Sequence, residues 1–180
     1  HDMSRVHTQL GDDVRKTRLA MVFFATTRGI PQFYYGTEIL MSNTGDDSHG
    51  NIRSDFPGGW AGDAVNAFSG EGLSQESIDF QDFTRRLLNC RQTSSAVHDG
   101  KLVHYVPEGG SYVYFRSDDA STVMVVLNQS DSVETLDLQR FDEVLEGRRS
   151  FTDALTGQPV EASGDALSVP AWQPWILEVK

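Results

Sequence analysis

Cysteine, long apolar runs and positive charge are all scarce in this sequence. Cys90 is its single cysteine, which rules out an internal disulfide and argues strongly against a cysteine-built zinc site. No stretch approaches the roughly 20 consecutive apolar residues of a membrane-spanning helix, so we predict no membrane partner. Only 15 Lys and Arg stand against 26 Asp and Glu, and the net charge of −11 argues against nucleic acid, whose phosphates would be repelled.

The composition that is present belongs to an ordinary globular protein. Hydrophobic residues make up 38% of 180 positions, and that length suits one domain or two small ones with a hydrophobic core. The first residue is His1 rather than methionine, which indicates a processed product or a fragment. We predict no cofactor and no metal: Asp46, Asp47 and His49 depart from the calcium-loop spacing and are interpreted as solvated loop residues.

In the first part of the chain a predicted helix is followed at once by a predicted strand, which is typical of an α/β protein. Residues 12–29 begin with acidic residues and end at a glycine, which predicts a helix, and its apolar second half predicts deep burial. Residues 30–36 are short, aromatic and bounded by proline and glycine, which predicts a buried strand.

A long loop and a second helix are expected next. Residues 42–72 are rich in Gly, Asp, Asn and Ser, and the aromatic residues Phe56, Trp60 and Phe68 favour a packed, functional loop over a disordered one. From Ser74, a predicted N-cap, apolar residues recur at helical spacing to about residue 94.

The pattern changes period beyond residue 98. Short strand-like runs occupy residues 102–106, 112–115, 122–127, 133–138 and 175–179. Several short strands without intervening helices predict an antiparallel β-sandwich or barrel. Residues 128–130 match a glycosylation pattern, but we prefer to interpret them as a polar turn.

Three segments carry a resemblance to a known family. His1-Asp2-Met3-Ser4-Arg5 resembles the end of the Asn-His-Asp-x-x-Arg motif of the α-amylase superfamily, glycoside hydrolase family 13. Residues 29–38 resemble that family's Gly-x-Pro-x-x-Tyr-Tyr-Gly-x-Glu motif around the eighth barrel strand, and residues 52–60 are similar to the neopullulanase and cyclomaltodextrinase branch. The fold class that this implies is α/β plus all-β: final segments of a (β/α)8 TIM barrel in residues 1–97, then a carboxyl-terminal antiparallel β-sandwich in residues 98–180.

The resemblance implies part of a retaining α-glucan hydrolase that acts on α-glucosidic bonds of starch-derived oligosaccharides, cyclodextrins or pullulan. Retention needs a nucleophile and an acid/base carboxylate about 5 Å apart, and the family supplies both from strands that would precede His1. A barrel of this type takes roughly 250 residues, so we expect an incomplete enzyme that is inactive alone. Its expected partners are the oligosaccharide substrate and the missing amino-terminal part of the same enzyme.

Other functions remain open at this point. The alternative is a non-catalytic domain: a polysaccharide-binding or purely structural β-sandwich. Relatives of this branch are often periplasmic or secreted, whereas the residues themselves indicate no compartment.

The resemblance gives the first residues catalytic roles. Asp2 is the family's third carboxylate, a transition-state stabiliser that grips sugar hydroxyls through charge-assisted hydrogen bonds. His1 donates to a hydroxyl of the same sugar. The alternative for Asp2 is a disordered terminal residue, and Arg5 is expected to be structural, paired with an acidic neighbour.

Substrate-binding residues are expected in the loop after the eighth strand. Arg53, together with Asp47, is implied as a sugar contact. Tyr35 and Trp60 are aromatic platforms that suit the apolar faces of sugar rings, with core packing as the alternative for each.

Overall fold

The structure, a computed structural model, describes residues 2–180, so the candidate site residue His1 lies outside the described residues. The α-helices are α1 (Val6–Gln9), α2 (Val14–Thr26), α3 (His49–Ile52), α4 (Gln75–Thr93), α5 (Ser95–Asp99) and α6 (Asp142–Leu145). The strands are β1 (Lys101–His104), β2 (Ser111–Ser117), β3 (Thr122–Asn128), β4 (Glu134–Asp137), β5 (Ser150–Asp153), β6 (Pro159–Glu161), β7 (Ala166–Val169) and β8 (Pro174–Val179). Short 3₁₀ helices span Thr37–Ile39 and Leu138–Phe141. None of the described helices is long and apolar enough to cross a membrane.

The chain divides by its contacts into two units. The first unit contains the residues up to Thr17 and Pro31–Arg85, and the second contains Arg18–Ile30 and Arg86–Lys180. The predicted division at residues 97 and 98 follows the change of sequence period rather than contacts, and it stays a prediction.

The second unit contains two antiparallel sheets. One has six strands in the order β1-β2-β3-β8-β5-β6, and the other pairs β4 with β7. Each ladder in these sheets is antiparallel. The predicted antiparallel β domain is therefore confirmed, and the predicted runs coincide with β1 to β4 and β8.

Both sheets contribute to one apolar core. The cluster contains Phe115 of β2, Met124 of β3, Leu177 of β8, Leu136 of β4 and Leu167 of β7, together with Phe141 and Leu145. Full burial of each such side chain contributes about 1.5–3 kcal/mol relative to exposure. Strands β5, β6 and β7 were not predicted, because three or four residues that alternate with polar ones carry too short a pattern.

The two predicted long helices, α2 and α4, are confirmed. Asp13 Oδ1 accepts the Arg15 amide at 2.8 Å where α2 begins, and the Ser74 hydroxyl accepts the Ser77 amide at 3.1 Å where α4 begins. These are N-caps, which satisfy amides that have no partner inside the helix.

The predicted deep burial of the apolar half of α2 is only partly correct. Val22 is fully buried, but Phe23 and Phe24 are 40% and 52% exposed. A helix buries one face, and the opposite face of α2 has too little cover among the described residues.

The strand predicted for residues 30–36 is wrong. This segment has no strand hydrogen bonding, leads into a turn at Tyr35 and Gly36, and begins with Ile30 at 97% exposure. A strand needs a neighbour on its hydrogen-bonding edge, and within the described part of the chain no strand pairs with this segment. The barrel segments predicted for residues 1–97 are accordingly not shown here. Residues 42–72 are a loop, as predicted, interrupted by α3.

Candidate functional site

Asp2 and Arg53 form an ion pair although 51 positions separate them in sequence. The Arg53 Nη2 atom lies 2.6 Å from Asp2 Oδ1, and the two side chains are 39% and 65% exposed. Arg53 follows α3 directly, and its neighbour Ile52 is fully buried and anchors this end of the helix. The structure thus brings together the predicted stabilising carboxylate and the predicted sugar-contacting arginine, in a position that solvent reaches.

Asp47 belongs to the same polar network. Its Oδ1 atom accepts hydrogen bonds from the Ser4 hydroxyl and from Asn43 Nδ2, the latter at 2.7 Å. The Asn43 side-chain oxygen in turn accepts the Arg5 amide at 3.0 Å. These bonds tie the first residues of the chain to the loop that carries Arg53.

Arg5 is buried, at 4% exposure, and its guanidinium lies against two aromatic rings. Its central carbon is 5.0 Å from the ring centre of Tyr34 and 4.9 Å from that of Tyr35, and Nη1 donates to the Tyr35 carbonyl at 2.7 Å. The predicted acidic partner is not found: among the described residues Nε and Nη2 have no hydrogen-bond partner. The ring faces attract the cation in place of a carboxylate.

Tyr35 is held at both ends. Its ring lies 4.5 Å from that of Tyr34, and its hydroxyl donates to the Ser54 carbonyl at 2.9 Å. Hydrogen bonding with Tyr35, and secondarily burial, raises the pKa of Tyr34. Since Tyr35 is 39% exposed, it is not a core residue, and its role as a sugar platform stays a prediction.

Trp60 is 67% exposed and is fixed by its own loop. Its indole Nε1 donates to Asp55 Oδ2 at 3.1 Å, and Asp63 Oδ2 accepts the amides of Gly58 and Trp60 at 2.8 and 3.2 Å. Gly58 has φ of 91°, and a Cβ there would lie 2.6 Å from Asn66. The core-packing alternative for Trp60 is therefore wrong, because the loop presents the indole to solvent.

Phe68 is a second exposed aromatic residue in this loop, at 76% exposure, and sequence reasoning did not assign it to a site. Its ring centre is 5.2 Å from that of Phe56, which is half-buried. An aromatic pair spaced across a glycine-rich loop is the signal that could have identified it.

The acidic residues of the loop are engaged with their neighbours. Asp46 accepts the Ser48 amide at 2.9 Å and Asn51 Nδ2 at 2.7 Å, and hydrogen bonds from Ser48 and Asn51 lower its pKa. No group of three or more potential metal-ligating side chains occurs in residues 2–180.

Comparison with known proteins gives these features a context. Residues 102–178 match the family described as the cyclo-malto-dextrinase C-terminal domain. The chain is 27% identical to cyclomaltodextrin glucanotransferase of Geobacillus stearothermophilus over 157 residues, covering 87% of this chain and 19% of that protein. It is 28% identical to neopullulanase 2 of Thermoactinomyces vulgaris over 171 residues, covering 94% of this chain and 26% of that protein. The chain thus spans about a fifth to a quarter of the length of these relatives.

Solved structures show the same fold. The α-amylase of Geobacillus thermoleovorans complexed with acarbose matches all of this chain and 37% of its own, with a TM-score of 0.75 at 20% identity. AmyP in complex with maltose matches 99% of this chain and 39% of its own, with a TM-score of 0.77 at 18% identity. The predicted resemblance is confirmed, and this chain is similar to the carboxyl-terminal part of α-amylase superfamily (glycoside hydrolase family 13) proteins of the cyclomaltodextrinase and neopullulanase branch.

Proposed function

We propose that this chain is the carboxyl-terminal part of a retaining α-glucan hydrolase that acts on starch-derived oligosaccharides, cyclodextrins or pullulan. Residues 1–97 would contribute the last segments of the catalytic barrel, and residues 98–180 a β-sandwich. The observation that carries the proposal is the Asp2–Arg53 ion pair, with 2.6 Å between Nη2 and Oδ1. The pair joins a carboxylate and a guanidinium from two of the three segments that carry the resemblance, and solvent reaches both side chains.

In this proposal Asp2 performs no covalent chemistry. Its carboxylate accepts hydrogen bonds from sugar hydroxyls beside the reacting carbon, and these bonds tighten as the ring distorts toward the transition state. Arg53 orients the Asp2 carboxylate through the ion pair, and His1 donates to the same sugar. Tyr35 contacts a sugar ring through its exposed portion.

Trp60 provides an aromatic platform for a sugar ring. A rigid, exposed indole buries apolar sugar surface at low conformational cost, and its bond to Asp55 at 3.1 Å fixes the plane of the ring. Asp47 orders the loop through the Ser4 hydroxyl and Asn43.

The β-sandwich has a structural role in this proposal. Its strand aromatic residue Phe115 is fully buried in the shared core, which favours a scaffold over a polysaccharide-binding module.

The test is the variant Asp2→Asn in the complete enzyme, assayed on maltotriose, a cyclodextrin and pullulan. We expect kcat to fall roughly 100-fold, the scale for loss of one group that stabilises the transition state, with a much smaller change in KM. Asp119→Asn, which removes the same charge from an exposed turn, is the control and should change neither constant. An unchanged kcat for Asp2→Asn would remove Asp2 from the mechanism.

A second test concerns the 180 residues by themselves. Because the proposal assigns the nucleophile and the acid/base to other residues of the enzyme, this chain alone should release no reducing sugar from maltotriose. Measurable turnover by the purified chain would refute this division of the catalytic groups.

A further inference from the structure

A pocket of about 600 Å³ lies within the second unit and belongs to none of the features described above. Its wall combines the residues just after α2, the end of α5, strand β1 and strand β2. Three of its lining side chains are cationic, namely Arg28, Lys101 and Arg116, and one is anionic, namely Asp99. This local excess of positive charge stands out because the chain as a whole carries a net charge of −11.

Arg116 is the buried member of the set, at 1% exposure. Its guanidinium donates to the Thr26 and Gly100 carbonyls, both at 3.0 Å, and to the His98 carbonyl at 3.5 Å. Its buried Nε has no partner among the described residues. Carbonyl dipoles solvate this charge, but no carboxylate within residues 2–180 pairs with it, so its positive charge is only partly compensated.

Neighbouring cations strengthen the positive field. Burial, and then the charges of Arg91 and Arg28, lower the pKa of Arg116, while Tyr114 and, less strongly, Asp99 oppose this shift. Arg91 is itself occupied, because it donates to the Ala25 and Gly29 carbonyls at 2.6 and 3.0 Å. The exposed Arg28 and Lys101 have no ion pair within the described part of the chain, so their charges remain available to a ligand.

We propose that this pocket binds a small organic ligand through an oxyanion group, a phosphate or a carboxylate, held by Arg28 and Lys101 in the pocket that the buried Arg116 also lines. Guanidinium and ammonium groups are the usual partners of such oxyanions. The pocket volume lies in the range of small-molecule sites and exceeds that of a lone inorganic ion, and Leu102 and Val103 supply apolar wall for the rest of the molecule. A neutral oligosaccharide would leave these charges unused, so the lining favours an oxyanion ligand over a neutral sugar.

The experiment is an amide NMR titration of the purified protein with inorganic phosphate and, in parallel, with acetate, each against sodium chloride at equal ionic strength. We expect saturable shifts of the Gly29, Gly100 and Lys101 amides. The oxyanion that binds more tightly identifies the preferred group, phosphate or carboxylate.

Variants that remove a charge test whether the anion binds in this pocket. Arg28→Gln and Lys101→Gln should each weaken binding roughly fivefold, the upper range for one exposed charge, and the double variant more. Lys16→Gln removes an equal charge from an exposed position in the first unit and should leave the affinity unchanged. The proposal is overturned if neither anion gives saturable shifts, or if all three single variants bind as the unaltered protein does. Neither outcome bears on hydrolysis, which this titration does not measure.

Discussion

The sheets of the second unit and the long loop of the first unit reach order by opposite means. In the sheets, Phe115 and Leu177 are fully buried in an apolar core. In the loop, Trp60 and Phe68 are 67% and 76% exposed, and the backbone around them is held by polar side chains such as Asp63.

This difference separates stability from recognition. Burial of apolar area dominates the free energy of folding, whereas an exposed hydrogen bond contributes only about 0.5–1.5 kcal/mol. The loop can therefore present aromatic and charged side chains without carrying the stability of the chain. Substitutions in the sheet core should therefore change the free energy of unfolding more than substitutions in the loop. Loop substitutions should instead change the local order around the exposed side chains.

The largest effect is expected in the sheet core. Phe115→Ala should lower the free energy of unfolding by about 3–5 kcal/mol, because it removes a fully buried ring and leaves a cavity. Val133→Ala, at a position that is 64% exposed, should cost less than about 0.5 kcal/mol. Urea denaturation followed by circular dichroism measures both. Equal costs would mean that the core does not dominate stability.

The second-largest loss of stability is expected when a buried polar side chain of the second unit is replaced. Asn128 is fully buried, and its Nδ2 donates to the Pro170 carbonyl at 2.8 Å and to the Ser132 carbonyl at 3.1 Å. Asn128→Ala should cost about 1–3 kcal/mol, because buried carbonyls lose their donor. The exposed neighbour Gln129 is the control, and Gln129→Ala should be nearly neutral in the same denaturation assay. A neutral Asn128→Ala would show that water replaces the amide.

Sequence patterns predict some elements of this chain better than others, because a pattern records local preferences and not long-range pairing. Strands β2, β3 and β8 are long enough to display an apolar pattern, and the caps at Asp13 and Ser74 act locally, so both could be predicted. Residues 30–36 carry strand-like residues, but a strand depends on a neighbour that sequence pattern does not supply. Pairing information is non-local, and a local sequence pattern does not contain it.

The candidate site likewise combines residues that the sequence identifies with contacts that it does not. The motifs around Asp2 and Arg53 were recognisable in sequence, but that the two side chains meet depends on the fold of residues 3–52 between them. The prediction that Arg5 pairs with an acidic residue was wrong, because two tyrosine rings attract its charge instead. Sequence patterns indicate which residue types are needed, whereas long-range packing decides which atoms meet.

A smaller effect is expected in the loop. Asp63→Ala removes the acceptor of the Gly58 and Trp60 amides, but Asp63 is exposed, so the free energy of unfolding should change by less than about 1 kcal/mol. Hydrogen exchange at these two amides should instead accelerate clearly, because they lose their acceptor. Asp119→Ala is the exposed control. A loss of stability as large as that of Phe115→Ala would break the distinction between the regions.

The smallest effect concerns a histidine in the first unit. His7 is 6% exposed, and its Nδ1 lies 2.7 Å from the Thr17 hydroxyl. Because that hydroxyl donates its single proton to the Asp13 carbonyl, His7 Nδ1 carries the hydrogen and donates to Thr17. Burial lowers the pKa of His7 below 6.5, although Asp12 opposes this shift.

The sign of the resulting pH dependence follows from linkage. The folded chain binds the His7 proton more weakly than the unfolded chain, so the stability associated with neutral His7 is fully present above pH 6.5. It is lost as the pH falls from 6.5 through the lowered pKa. His7→Gln should flatten this part of the stability profile in denaturation measurements between pH 5 and pH 8, while His49→Gln, at an exposed position, should not. If both variants kept the original slope, the acid sensitivity of the first unit would have to come from its carboxylates, and His7 would be a packing residue without a titration role.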